Sequence, residues 1–322
     1  MRTGGSVKDG IGPSAARPGW RRLREALPVL AAAATGIQVG AAIVATRFVV
    51  DQTGPASLAL LRYVIGFLCL LPPALLSARV RFERRDLLPI ALLGILQFGV
   101  LIALLNVALQ FIPSARAALI FATVPLLTMI LGAALGRERM TAAKTAGVLL
   151  TIAGVGFALG EKAIGPDHAP GSWIGELAAF ASALCGAACS VLYRPYLQKY
   201  PTLPVSAFAM LAAVGFLAVL AAGEGFFATM PHFTAGGWLA VVFIGLSSGV
   251  GYFLWLWALN HTTPTRVTVF LALSPVTSAL LGALILAEPV SAMVLAGLVC
   301  VAFGLWLAHR KESRRESAET NL

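Results

Sequence analysis

The sequence predicts an all-α membrane protein of ten transmembrane helices in two inverted five-helix repeats. Three observations carry this: ten apolar stretches of span length, basic residues gathered on alternate connections, and an internal repeat at an offset of 150 residues. Of the 322 residues, 58% are hydrophobic and only 12% charged, against roughly 25% charged in soluble domains. With a mean hydropathy of +0.85, too few polar side chains remain to clothe a water-soluble surface. A span takes about 20 apolar residues, so ten use roughly 200 and leave only tails and short loops.

The expected spans are Leu27–Val49, Ala56–Ser77, Leu87–Leu109, Ala115–Leu135, Ala142–Leu159, Trp173–Leu192, Pro204–Ala222, Trp238–Leu259, Thr265–Leu286 and Ala292–Ala308. In lipid every backbone polar group needs an internal partner, so the spans are helices or a closed barrel. The absence of period-2 alternation selects helices. Residues 1–24, rich in Gly, Ser, Pro and Arg, are expected as a disordered basic cytoplasmic tail. The tail and the apolar run behind it imitate a secretory signal, but nine more apolar stretches follow, so Leu27–Val49 reads as the first span. The first repeat then covers 25–160, an external linker 161–172, the second repeat 173–309 and a cytoplasmic tail 310–322.

With both termini inside, 20 of the 24 basic residues face the cytoplasm, and only Arg47, Arg62, Arg116 and Lys162 face outward. That bias is the positive-inside signature of a multi-pass protein of the plasma (inner) membrane. It also accounts for the net charge of +10 without a nucleic-acid partner.

The repeat is the sharpest signal. At the offset of 150, Gly99 matches Gly249, Arg116 matches Arg266, Pro125 matches Pro275, Glu138 matches Glu288 and Gly154 matches Gly304. Five crossings per half force the second copy to lie upside down relative to the first, the arrangement on which alternating access is built.

The runs Ala108–Leu159 and Ala258–Ala308 resemble the EamA repeat of the drug/metabolite transporter superfamily, with a small-residue helix, a mid-helix Pro and a Glu leading into the next helix at a Gly. Leu61-Arg62-Tyr63 is similar to the family's second span, whereas Met210-Leu211 in the second half lacks the Arg. The resemblance implies ten helices around a central cavity. It also implies a secondary transporter that exports or exchanges a small, amino-acid-like or drug-like metabolite. The alternative is a flippase for an amphipathic or lipid-linked substrate.

Candidate pathway residues follow from polarity. Gln38, Gln97, Asn106, Glu176, Tyr252, Trp255 and Trp257 are the uncommon polar or large aromatic residues inside spans, where such groups face protein or a watery cavity. Glu176 can equally be solvated at a helix end, and the tryptophans can belong to an interfacial belt. Arg116 and Arg266 open equivalent helices and either guard the two mouths or snorkel to headgroups. Arg62 pairs with Asp51, as Arg47 does, or meets an anionic substrate group. Pro125 and Pro275 each remove a backbone donor, giving a gating kink or an inherited bend. Glu138 and Glu288 are connector caps or members of a gating ion pair with Arg116 or Arg266.

No phosphate-binding loop of the G-x-x-x-x-G-K-[ST] type occurs, so transport is expected to run on a gradient, with a coupling proton and Glu176 as its one intramembrane acid. His168, His232, His261 and His309 are scattered, and Cys185 and Cys189 have no His or acidic neighbours, so neither an enzyme, a cofactor nor a metal site is expected. Gly36/Gly40, Gly132/Gly136 and Gly245/Gly249 form G-x-x-x-G pairs suited to close packing, within the chain or in a homodimer.

Overall fold

The computed structural model describes residues 18–76, 81–136, 141–164, 171–229, 231–261 and 270–319, and every regular element among them is helical. Helix α1 (Pro18–Val49) leads to α2 (Pro55–Leu76). Next, α3 (Arg84–Gly94), a π-helical turn (Ile95–Val100) and α4 (Leu101–Phe111) follow without a gap, and α5 (Ser114–Phe121) and α6 (Val124–Ala134) make a broken pair. Then come α7 (Ala142–Ile164), α8 (Ser172–Leu192), the short α9 (Arg194–Lys199), α10 (Thr202–Gly223) and α11 (Ala235–His261). A 3-10 turn (Phe270–Ala272) opens α12 (Leu273–Leu286), and α13 (Ala292–Glu319) follows.

Among the described residues, 7 helical stretches are long and apolar enough to cross a membrane; α12 and the apolar parts of α7 and α13 are shorter. Their outward faces stay apolar, with Leu76 88% and Leu284 79% exposed, as helices solvated by lipid require. Helix starts follow the prolines: Pro55 opens α2, and Pro113 and Pro201 immediately precede α5 and α10. Each has the fixed φ of a first turn and no N–H to leave orphaned. The expected tails are shorter than drawn. Helix α1 already begins at Pro18, so 18–24 is helical, and α13 runs on to Glu319. Arg266 and Glu138 lie outside the described residues.

Helix α1 packs on α11 and α12, and α8 packs on α4 and on α5 with α6. In the same way α2 packs on α11 and α10 on α3. Helices α2 and α10, α5 and α12, and α7 and α13 pair directly.

Glycines set the closest of these approaches. A Cβ at Gly154 would stand 2.8 Å from the Gly297 carbonyl oxygen, and one at Gly304 2.7 Å from the Gly147 oxygen, so α7 and α13 meet backbone to backbone. Gly36 and Gly40 serve the crossing of α1 over Phe270 and Ser274, where Ser278 Oγ also donates to the Gly40 carbonyl at 3.0 Å. Gly245 and Gly249 lie against Ile65 and Gly66 of α2. Gly136 differs from the packing expected of it: with φ 68° and open space where a Cβ would stand, it ends α6 in a left-handed turn. Gly304→Leu is therefore expected to force α7 and α13 apart at a cost of about 1–3 kcal/mol, read as a lower melting temperature of the purified protein, whereas Gly136→Asn should be nearly silent.

One polar cluster ties α3 to α9 at a single end of the bundle. Lys199 Nζ lies 2.6 Å from Glu83 Oε1 and 2.6 Å from Asp86 Oδ2, and Tyr200 Oη donates to Asp86 at 2.6 Å. The Lys199 ammonium, by hydrogen bonding to it, holds the Glu83 carboxyl below its ordinary value.

Candidate functional site

A cavity of about 100 Å³ lies among α1, α2, α4, α8 and α11 and the two helix breaks. Its walls obey the 150-residue register. Phe98, Leu101, Ile102 and Leu105 line one side, and Ser248, Gly251, Tyr252 and Trp255, their equivalents, line the other. The first wall is apolar; the second carries a hydroxyl, a phenol and an indole.

The breaks themselves reach the cavity. Pro125 has no N–H to return to the carbonyl of Phe121, and the chain turns through Ala122 and Thr123 before α6 resumes. Pro275 likewise cannot serve Leu271, which sits in the 3-10 turn ahead of α12. Phe121 and Leu271 are equivalent positions, and both line the cavity. The helix interruptions expected at the two prolines thus fall just before them, on the cavity wall.

Arg62 is the one ionised side chain among the described residues that line the cavity. It lies two turns into α2, only 9% exposed, where a guanidinium in a membrane core costs about 3 kcal/mol. Its Nε donates to Ser248 Oγ at 2.6 Å, and its Cζ lies 5.6 Å from the Tyr63 ring centroid. Arg62 does not pair with Asp51. That carboxylate is held by Arg47 at 3.2 Å, one helical turn away.

Beside Arg62, Gln38 Nε2 donates to Ser247 Oγ at 3.1 Å, and Gln97 joins the lining from the π-helical turn. Tyr63, Phe98 and Tyr252 form an aromatic run, with ring centroids 5.0 Å and 4.3 Å apart along it. Trp255 closes the wall at 9% exposure.

The remaining candidates lie elsewhere. Asn106 is buried and donates to the Pro55 carbonyl at 2.8 Å, fixing the start of α2 rather than facing the cavity. Trp257 packs on His261 with ring centroids 4.2 Å apart. Arg116 and Glu176 approach each other at 3.8 Å, half-buried, at the end of the bundle that carries the α1–α2 connection.

That same end holds two contacts invisible in local sequence. Glu224, just after α10, accepts from the backbone N–H groups of Ala56 and Ser57 at 2.9 and 2.8 Å and from Ser57 Oγ at 2.6 Å, capping α2. Gly54 leaves room for it, since a Cβ there would collide with the carboxylate. Glu288 accepts from the Ser114 N–H at 3.1 Å and from the Ser114 hydroxyl, capping α5, with Arg47 Nε 3.8 Å away. The expectation that Glu288 caps its own next helix is thereby corrected: Ala287, at φ 52°, turns the chain so that the carboxylate reaches a helix of the other half. Carboxylates favour helix N-termini because the first N–H groups lack intrahelical partners and carry positive partial charge.

The model of the EamA-like transporter family matches residues 26–160 and 173–310. Similar proteins include an uncharacterized transporter of Archaeoglobus fulgidus, 28% identical over 84% of this chain and 95% of its own length. One of Streptantibioticus cattleyicolor, named "Probable terminal-alkyne amino-acid exporter", is 28% identical over 89% of this chain and 95% of its own. The aromatic amino acid exporter YddG of Ancylobacter novellus is 32% identical over 54% of this chain and 59% of its own. A solved crystal structure superposes with a TM-score of 0.68 at 25% identity, over 88% of this chain and 97% of that chain.

Proposed function

Because this chain belongs to the EamA-like transporter family and is a multi-pass membrane transporter, we propose that it exports or exchanges a small metabolite by alternating access through the Arg62-lined cavity. The observation that carries this reading is the cavity itself, walled by equivalent residues of the two halves and touched by both helix breaks. The helix pairings support an inverted ten-span arrangement. Exchanging each rod for the one five places on turns the α1–α11 pair into α8–α4, α2–α11 into α10–α3, and α1–α12 into α8–α6, all of them present. A two-fold related duplication makes such a set close on itself, and with five crossings per half its axis lies in the membrane plane. In this reading both termini are cytoplasmic, and the Glu224 and Glu288 caps hold the external end shut.

The test is efflux from proteoliposomes containing the purified protein and preloaded with amino acids or organic acids. Transport is expected to need no ATP and to be accelerated by an imposed ion gradient or by counter-substrate on the opposite side. Transport that requires ATP, or that responds to neither an ion gradient nor counter-substrate, contradicts the reading.

Among the described residues no carboxylate lines the cavity, and Glu176 is engaged by Arg116 away from it. Glu176→Gln is therefore expected to leave the pH dependence of transport unchanged, so a coupling proton would be carried elsewhere. Gly36, Gly40, Gly245 and Gly249 are occupied by contacts within the chain, which favours a monomeric transport unit over a dimer built on those pairs.

A further inference from the structure

We infer that the cavity selects a carboxylate monoanion with an apolar or aromatic body, bound through the two terminal nitrogens of Arg62, and that among the described residues it offers no carboxylate to a substrate ammonium. This rests on the cavity being the transport site.

Arg62 is more than nine-tenths buried and points into the cavity, yet only its Nε is used, by Ser248. Among the described residues the two terminal nitrogens have no hydrogen-bond partner and no carboxylate is ion-paired with the group. A planar guanidinium with both terminal N–H groups free offers the parallel pair of donors that a carboxylate accepts in two-point fashion. A buried charge held this way is completed by an incoming anion rather than by the protein.

The rest of the cavity sets the body of the ligand. Phe98, Leu101, Ile102 and Leu105 give it an apolar wall, and the rings of Tyr63, Tyr252 and Trp255 surround the space near the guanidinium. The neutral polar groups there, Gln38 and Gln97, can meet one further hydroxyl or amide. An ammonium would face Arg62 without any acidic residue to offset it among the described residues, since none of those lining the cavity is Asp or Glu. Like-charge juxtaposition without a counter-ion is a rejecting feature. The site therefore favours the organic acid over the corresponding amino acid or amine.

A matched ligand series tests this on the unaltered protein: 3-phenylpropionate, its neutral amide 3-phenylpropanamide, phenylalanine and phenethylamine, measured by equilibrium binding in nanodiscs. The acid is expected to bind at least tenfold more tightly than the other three. Arg62→Gln should cost the acid that tenfold preference and leave amide binding unchanged, and Arg62→Lys should restore part of it. Equal binding of acid and amide, a preference for phenylalanine over the acid, no saturable binding of the acid, or an unchanged preference in Arg62→Gln each overturns the inference. Because the series uses the native chain, a poorly folding variant does not remove the test. If the acid preference fails while blocking the cavity still stops efflux, the transport reading survives alone. If efflux persists through a blocked cavity, that reading fails whatever the site binds.

Discussion

Replacing Ser190 with tryptophan is expected to stop transport while the helical fold survives. Ser190 lies on α8, 5% exposed on the cavity wall, and its Oγ merely returns to the Gly186 carbonyl at 2.7 Å. No other element depends on that hydroxyl, so Ser190→Ala should transport normally. An indole at this position enters the cavity of about 100 Å³ that Ser190 lines. Filling an existing void is tolerated better than overpacking a dense core, whose cost is about 1–3 kcal/mol. The expected result is native helicity and a melting temperature near that of the unaltered protein, with efflux from proteoliposomes at background. Normal efflux would mean that the substrate takes another route.

Removing the Glu288 carboxylate is expected to have the second largest effect. Ser114 donates both its N–H and its hydroxyl to it, and Arg47 approaches from the other side. In Glu288→Ala those donors lose their partner at a buried helix start, at a cost of about 1–3 kcal/mol. Glu288→Gln keeps an acceptor oxygen and should recover much of the loss. The consequence goes beyond stability, because the cap joins α5 to the segment after α12 and so ties the two halves together at one end. Glu288→Ala should increase the labelling of a cysteine placed at Gln38 from that side of the membrane, and Glu224→Ala should act in the same direction by freeing the start of α2. Lower melting without any change in labelling would mean that the caps are structural and not a latch.

Much of this architecture is legible in the sequence because lipid imposes few rules and imposes them strictly. The expected spans begin within a few residues of the helices where a Pro or Gly marks the start, as at Pro55 for α2 and Gly171 ahead of α8. The two prolines indicated where helices would break, because a missing N–H acts locally. The π-helical turn at Ile95–Val100 has no such marker and was not legible.

For the site, Gln38, Arg62, Gln97, Tyr252 and Trp255 line one cavity, whereas Asn106, which looked identical to Gln97 in sequence, spends its amide on Pro55. A lone polar residue in an apolar helix needs a partner, and sequence alone does not say whether that partner is a carbonyl or a cavity. Trp257 stands two residues past Trp255 and so faces away from it on a helix. Glu224 and Ser57 are 167 residues apart, and nothing near either announces the other.

Alternating access requires that the cavity be reached in turn from the two sides of the membrane. The direct measurement places a single cysteine at Ser190, with Cys69, Cys185, Cys189 and Cys300 replaced, and follows its reaction with a membrane-impermeant thiol reagent in right-side-out and inside-out vesicles. The account predicts reaction from both sides, with the ratio shifting when a substrate gradient is applied. Reaction from one side alone under every condition, or from neither, would contradict it.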